Sequence, residues 1–372
     1  MAMAPTIPMR MKPKKSLQIH CHLTFATTFD KITQLATKDD NKKTKVVFVL
    51  GTTAVGKSKL SIDLATHFQG EIINSDKIQV YKGLDILTNK IPEDERRGVP
   101  HHLLGFVEPD REFTTQDFCN HVHTAMNQVM ENGNNPIIVG GSNRYMEALV
   151  DEDSMFDFKA NYDPCFLWVD VALPILLDCT SRRVDEMVEA GLVDEVRDIF
   201  ARGIDRTWGI WKAIGIPELE AYIQAERKMA DEKTKKMLLD TAIYEIKKNT
   251  NKLINSQLMK IKRLRNEKGW KLHHIDATRV YEKSGKIAKD VWDKEVLRPS
   301  LEILANFFRK KMRKHELWRL ALNIKTMPMA PTIPTRMRPK KNLQIHCHLT
   351  VVNTKDGLNR PISFHLKAIQ FE

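Results

Sequence analysis

The stretch of sequence that decides the fold is Gly51-Thr52-Thr53-Ala54-Val55-Gly56-Lys57-Ser58. It follows an apolar, β-branched run at 46–50 that is typical of a buried strand, and it precedes apolar residues at helical spacing over 59–65. A glycine-rich loop between a strand and a helix binds phosphate, because its backbone N–H groups point at the phosphate oxygens. Lys57 adds a cation and Ser58 offers a hydroxyl to Mg²⁺. The pattern predicts a phosphate site but does not specify the reaction.

Strand and helix signals alternate after this loop. Apolar runs predict strands at 71–74, 136–141, 165–171 and 271–275. A helix is expected from Phe113 to Met130, with Thr114 or Thr115 as its cap, and helical periodicity dominates 174–268 and returns at 287–297. This order predicts an α/β fold, with a P-loop NTPase-like parallel sheet covered by helices and an added helical subdomain.

Charge is distributed unevenly along the 372 residues, whose formal net charge is +12. Residues 46–308 hold 36 Lys or Arg and 41 Asp or Glu, so the excess of basic residues lies in the two tails. An acidic central region argues against a large surface for a polyanion, and we expect no nucleic-acid partner. Five cysteines without a C-x-x-C pair favour a reducing compartment.

The two tails share one segment, because residues 1–24 recur at 327–350 with 20 identical positions. Both copies are poor in large apolar residues, so we expect tails without a fold of their own. The predicted organisation is a basic tail or transit peptide at 1–45, one domain at 46–308 and a second basic tail at 309–372. Within the domain, 46–172 and 270–308 form the α/β core, and 173–269 is mainly helical. The alternative interpretation of the repeated His-Cys-His triplet is a metal site, but no other ligands are spaced to complete one.

Asp76 is the first candidate for chemistry outside the loop. It follows the second predicted strand, and ligands of parallel sheets bind beyond the carboxyl ends of the strands. A carboxylate placed there holds Mg²⁺ through water or accepts a proton from a substrate. The competing interpretation is a helix-capping or loop aspartate. His101 and His102 resemble a catalytic pair, but without a third ligand they are better explained as a structural loop element.

Four blocks, in this order, resemble one enzyme family. They are the loop at 51–58 and the blocks at 74–81, 99–105 and 140–145. Further matching blocks lie downstream at 166–171, 183–191, 213–218 and 275–278. Together they span 46–308 and resemble the isopentenyltransferases, in particular the plant adenylate isopentenyltransferases that make cytokinins.

This resemblance implies transfer of the dimethylallyl group of dimethylallyl diphosphate to the N6 amine of ATP, ADP or AMP, with Mg²⁺ as cofactor. In this family the loop is thought to hold the donor's diphosphate, and Asp76 matches the proposed base. The implied diphosphate-binding residues are Gly51, Thr52, Thr53, Ala54, Val55, Gly56, Lys57, Ser58 and Lys212, with Ser58 also at the metal. The implied nucleotide-binding residues are Ser75, Gln79, Ser142, Asn143 and Arg144.

The sequence departs from the family at two positions. Trp211 and Ser256 stand where the family usually carries arginine, and neither side chain replaces a bidentate phosphate donor. We therefore expect impaired activity, partly compensated by Lys212. Arg144 stands where the family often has a small residue, and it is a candidate for a replacement cation.

Three other functions remain open at this point. A tRNA dimethylallyltransferase would perform the same chemistry but needs a basic RNA surface. A small-molecule kinase would explain the loop and Asp76 but not the blocks at 99–105 and 140–145. A decayed, inactive paralogue would explain the two departures. We expect a monomer without a membrane span, located in the plastid or cytoplasm, or in the mitochondrion.

Overall fold

One parallel sheet of six strands organises the protein. The computed structural model describes residues 43–152, 157–203, 206–207 and 209–309. The strands are β1 (Thr44–Leu50), β2 (Gly70–Asn74), β3 (His101–His102), β4 (Asn135–Val139), β5 (Tyr162–Asp170) and β6 (Leu272–Asp276). Their order is β3-β2-β4-β1-β5-β6, and every pairing between neighbours is parallel. The predicted strands are confirmed, and β3 is a strand that the pattern did not predict.

Helices connect the strands in the order expected of an α/β fold. They are α1 (Lys57–Phe68), α2 (Thr115–Glu131), α3 (Asn143–Glu147), α4 (Phe158–Asn161), α5 (Leu173–Glu189), α6 (Leu192–Ala201), α7 (Ile216–Arg227), α8 (Glu232–Asn266), α9 (Thr278–Tyr281), α10 (Gly285–Val291) and α11 (Arg298–Arg309). Tighter or wider helical turns occupy Asp94–Arg96, Ala148–Glu152, Gly209–Lys212 and Trp292–Leu297. Thr114 caps α2 as predicted, since its side chain accepts a hydrogen bond from the Asp117 N–H.

Both faces of the sheet are covered, as a central parallel strand requires. Alternate residues of β1 enter two different cores, with Val47 and Val49 on one face and Val46 and Phe48 on the other. Helices α1 and α11 pack on the first face, and α2 packs on the second. The continuous apolar run before the phosphate loop is therefore explained by burial on two sides.

A third apolar cluster lies among α5, α6, α7 and the first half of α8. Helix α8 has 35 residues and is about 52 Å long at 1.5 Å per residue. Ala242 and Ile246 of α8 belong to this third cluster, whereas Ile254 belongs to the core against the sheet. The same helix therefore joins the helical region to the phosphate-loop side of the sheet.

The expectations for the tails lie outside the described residues. These are the unfolded or transit character of 1–42 and 310–372, the repeated segment and its His-Cys-His triplets. Within the described part of the chain, no helix has the length and apolar character needed to cross a membrane.

Candidate active site

The loop at 51–58 joins the centre of the sheet to the first turn of α1, so its N–H groups lie at a helix N-terminus. Gly56 takes φ +86°, and a Cβ on it would lie 2.9 Å from the indole of Trp292. The Tyr281 hydroxyl donates a hydrogen bond of 2.7 Å to the Ala54 carbonyl. Glycine is thus required at position 56 by both its backbone conformation and the contact with Trp292. Tyr281 and Trp292 together stabilise the conformation of the loop.

Lys57 is the cation of this loop. Its Nζ donates a hydrogen bond of 2.6 Å to the Thr52 carbonyl. Burial lowers the pKa of Lys57 to about 8; the negative charge of Asp76 opposes this shift, and the positive charge of Arg183 adds to it. The ammonium is therefore poorly solvated and lies within electrostatic reach of both a carboxylate and a guanidinium, an environment that favours an anionic ligand.

Arg183 is a functional candidate that sequence reasoning missed. Arg183 lies in the matching block at 183–191, but the sequence pattern indicates no role for it. Burial lowers the pKa of its guanidinium, whereas Tyr281 and Glu186 oppose that shift. Within the described part of the chain its side chain makes no hydrogen bond or ion pair. Arg183 shares the inward stripe of α5 with Leu176, Thr180 and Val184, and this helical spacing was the available signal.

Asp76 lies where the sequence predicts, directly after β2. Asn74 holds the segment in place, because its side chain accepts from the Asp76 N–H (3.1 Å) and donates to the carbonyls of Asp76 (3.1 Å) and Leu103 (3.0 Å). The Asp76 Oδ1 accepts from the Ile78 N–H at 3.0 Å. The other oxygen, Oδ2, lies beside Gly141, where an added Cβ would approach it to 3.6 Å. One carboxylate oxygen is thus anchored, and the second faces the turn after β4.

The turn after β4 packs directly on the Asp76 segment. Gly140 contacts the backbone of Ser75, leaving no room for a Cβ. The Ser142 N–H donates to the Ser75 carbonyl at 3.2 Å, and the Ser142 Oγ accepts from the Lys77 N–H at 3.0 Å. Two buried oxygens in this region, Ser75 Oγ and Asn143 Oδ1, have no partner among the described residues. Unpartnered buried polar atoms are costly and are found at functional sites.

Several predicted site residues are engaged in other contacts. The Thr53 N–H donates to the Gln257 side chain at 2.8 Å. The Gln79 amide donates to the carbonyls of Thr88 and Asn89, both at 3.1 Å. Arg144 is exposed and pairs with Glu152 at 2.6 Å. Gln79 and Arg144 therefore stabilise their local segments in this structure.

We call Arg183, Trp211, Lys212 and Ser256 the helical side of the candidate site, because they lie in the helical region. Two of them, Lys212 and Trp211, have surroundings of their own. Lys212 is exposed at the end of the Gly209–Lys212 turn. Trp211 is buried in the third apolar cluster, with its ring centroid 5.2 Å from that of Phe200 and the Arg206 guanidinium 5.1 Å from its centroid. Trp211 is thus a core residue of the helical region.

The histidine pair forms the edge strand β3 and not a loop. His102 Nε2 lies 2.6 Å from the buried Glu71 carboxylate, which also accepts from Asn132 and Asn134. Burial opposes ionisation of Glu71, but these hydrogen bonds outweigh it and lower its pKa. His102 therefore has a structural partner. No group of three or more potential metal-ligating side chains occurs in residues 43–309 as far as they are described.

The parallel sheet, the glycine-rich loop after β1 and Asp76 after β2 define a P-loop-type α/β protein. Similarity to known proteins identifies its family. The IPP transferase family profile matches residues 79–159 and 152–264. The chain belongs to this family. It is 49% identical over 268 residues to adenylate isopentenyltransferase 5, chloroplastic, of Arabidopsis thaliana, covering 72% of this chain and 81% of that one.

Other relatives agree. Adenylate isopentenyltransferase 7, mitochondrial, of Arabidopsis thaliana is 49% identical over 270 residues, covering 72% of this chain and 81% of that one. The adenylate isopentenyltransferase of Humulus lupulus is 39% identical over 294 residues, covering 70% and 89%. A eukaryotic dimethylallyltransferase acting on tRNA shares the fold with a TM-score of 0.61 at 24% identity, covering 74% of this chain and 82% of that one.

Proposed function

We propose that this protein transfers the dimethylallyl group of dimethylallyl diphosphate to the N6 amine of a free adenine nucleotide, ATP, ADP or AMP. The observation that carries the proposal is one arrangement of charges. Lys57 on the phosphate loop lies within electrostatic reach of Arg183 on α5 and of Asp76, which follows β2. Two cations suit a diphosphate, and the carboxylate suits an amine that must lose a proton.

The phosphate loop serves the donor in this proposal. The bond between C1 of the prenyl group and its bridging oxygen breaks, and both electrons leave with the diphosphate. The negative charge on that oxygen grows as the bond breaks, so loop N–H groups, Lys57 and Arg183 stabilise the transition state more than the bound donor. Because the loop is supported by Tyr281 and Trp292, its donors need little rearrangement during the reaction.

Asp76 serves the acceptor. The lone pair of the exocyclic amine of adenine is delocalised into the ring, which makes the amine a poor nucleophile. Asp76 Oδ2 accepts a hydrogen bond from this amine and takes its proton as the new N6–C1 bond forms, so the charge balances. Oδ1 keeps its hydrogen bond with the Ile78 N–H, which fixes the orientation of the carboxylate.

Mg²⁺ is part of the proposal as a companion of the diphosphate. Ser58 is exposed at the first turn of α1 and offers its hydroxyl beside the loop. Mg²⁺ in phosphate sites binds one or two protein groups and otherwise phosphate oxygens and water, so a full protein cage is not needed. When bound, the ion neutralises charge on the leaving group.

The relatives and the charge distribution favour a free nucleotide over tRNA. The relatives named above are adenylate isopentenyltransferases, and residues 46–308 carry more acidic than basic residues. The proposed location is a plastid or mitochondrion, in line with the names of these relatives.

One assay tests the proposal. The full-length protein is incubated with Mg²⁺ and dimethylallyl diphosphate labelled in the prenyl group, and ATP, ADP, AMP or an adenine-containing tRNA is offered in turn. We expect label on free nucleotide. Label on tRNA alone would show that the acceptor is tRNA and not a free nucleotide. Transfer of γ-phosphate from ATP in a parallel reaction would show that the protein is a kinase. Absence of label from every acceptor would support the inactive paralogue.

A further inference from the structure

Gln257 of α8 connects two segments of the active site through its side-chain amide. Its Oε1 accepts a hydrogen bond of 2.8 Å from the Thr53 N–H, and its Nε2 donates one of 3.1 Å to the Gly141 carbonyl. The side chain is buried, with 7% of the residue exposed. A buried amide with both ends satisfied by the backbone has a fixed orientation, so it determines the distance between the two segments that it joins.

The connection extends to Asp76. The turn that contains Gly141 is bonded to Ser75 and Lys77 on either side of Asp76, as described above. Asn143 at the end of this turn donates to the Gln257 carbonyl at 3.3 Å. A continuous set of hydrogen bonds therefore runs from the phosphate loop through Gln257 and the turn to the segment that carries the carboxylate.

We propose that Gln257 is a positioning residue that sets the separation between the phosphate loop and Asp76. This inference rests on the proposed function, because that separation fixes how far C1 of the prenyl donor lies from the amine of the acceptor. A displacement of the reacting atoms by about 1 Å costs on the order of 100-fold in rate. Gln257 itself touches neither substrate in this proposal and acts through Thr53 and Gly141.

The chemistry of the amide predicts which substitutions fail. Gln257→Met keeps the length but has no strong donor or acceptor, so it breaks both hydrogen bonds. In Gln257→Glu the ionised carboxylate accepts from the Thr53 N–H but opposes the Gly141 carbonyl. The protonated acid has one donor and one acceptor, as glutamine has. Protonation should therefore restore the connection in Gln257→Glu.

The first test is kinetic. We expect Gln257→Met to lower kcat by about 10- to 100-fold while the KM for each substrate changes by less than about threefold. The kcat of Gln257→Glu relative to the unmodified protein should rise as pH falls. The matched control is Gln224→Met, because Gln224 is exposed on α7 and, among the described residues, its side-chain amide donates only to Glu220. Melting temperatures show whether each variant is folded under assay conditions.

A second substitution tests the same connection from the other side. A Cβ on Gly141 would lie 2.5 Å from Gln257 Nε2, so Gly141→Ala should displace the amide. We expect Gly141→Ala to reproduce the loss in kcat, and the double variant with Gln257→Met to lose little more than either single variant. Fully additive losses would show that the two residues act independently and would overturn the inference.

Hydrogen–deuterium exchange separates this inference from the proposed function. In Gln257→Met a peptide that contains Thr53 should exchange faster than in the unmodified protein, because that N–H loses its acceptor. This result does not require activity, so an inactive unmodified protein would contradict the proposed function alone. Unchanged exchange would overturn the connection. Faster exchange with unchanged kcat, or with a raised KM alone, would overturn the positioning role.

Discussion

The two sides of the active site are built by different means. On the loop side, Tyr281, Trp292 and Gln257 contact the phosphate loop, and all but the indole contact involve hydrogen bonds to its backbone. On the helical side, the proposed diphosphate contacts are side chains such as Arg183, and this side also carries the two departures from the family pattern. The difference means that substitution affects the two sides differently. Backbone N–H donors are present whatever the side chain is, whereas a side-chain contact is lost when its residue is replaced.

The largest effect should follow removal of the proposed base, Asp76, which belongs to the loop side. Asp76→Asn keeps the size and the hydrogen bond from the Ile78 N–H but cannot take a proton. We expect kcat to fall by about 10²- to 10⁴-fold while diphosphate binding is retained. The measurement is single-turnover prenyl transfer together with calorimetric titration of diphosphate. Asp178→Asn, in the exposed ion pair with Arg182, is the control and should stay within about twofold of the unmodified protein.

Trp211→Arg tests whether the helical side accepts the family's arginine. Arginine is the residue that the family usually carries at this position, but the buried indole of Trp211 packs against Phe200 within an apolar cluster. Arginine would leave space and place a charge in that cluster, near Arg206, so we expect the free energy of unfolding to fall by about 3–5 kcal/mol. Trp211→Phe should cost less, because it keeps a ring and removes the unpartnered Nε1 donor. A Trp211→Arg variant with unchanged stability and raised activity would show that the helical side rearranges to admit a cation.

Titration of Lys57 tests the loop side with a smaller effect. Its pKa of about 8 means that the ammonium is present below pH 8 and is lost as pH rises above it. Since diphosphate prefers the charged form, its affinity should fall about tenfold between pH 7 and pH 9. Lys57→Arg should remove this dependence, because guanidinium stays protonated. Asp76→Asn should move the decline to lower pH, since Asp76 raises the pKa of Lys57; a decline at unchanged pH would show that the two groups are not coupled.

The contrast between the two sides also explains which parts of the molecule could be predicted. Local sequence pattern predicts the loop, the strand before it and the helix after it. Burial on both faces produces a continuous apolar run, and the conformation of the loop requires glycine. The Thr114 cap is confirmed for the same reason. The two-residue strand at His101 and His102 is too short to show a period, and it forms because β2 offers it a partner.

Long-range contacts set the remaining site. Gln257 lies 204 residues after Thr53, and Arg183 also lies far from the loop in sequence. No local sequence signal indicates that α5 and α8 bring these two residues to the loop. The orientation of the Trp211 side chain is likewise determined by packing within the third apolar cluster and not by its neighbours in sequence. The strand pattern predicted the position of Asp76, and the family resemblance implied its role as a base, whereas the contacts of Gln79 and Arg144 became visible only in the folded chain.

The smallest expected effect comes from Ser256→Arg, and it decides whether the two departures are equivalent. Ser256 is half-buried and precedes Gln257 on α8, so an arginine there starts from a helix already fixed to the phosphate loop. We expect prenylated nucleotide to form about fivefold faster at low donor concentration, which corresponds to about 1 kcal/mol, with a gain that shrinks as salt is added. Ser256→Gln has similar reach without charge and should give no gain. If Ser256→Arg raises the rate while Trp211→Arg destabilises the fold, then position 256 has lost a substrate contact and position 211 belongs to a rearranged core. Equal rates for Ser256→Arg and Ser256→Gln would mean that the helical side needs no further cation beside Arg183.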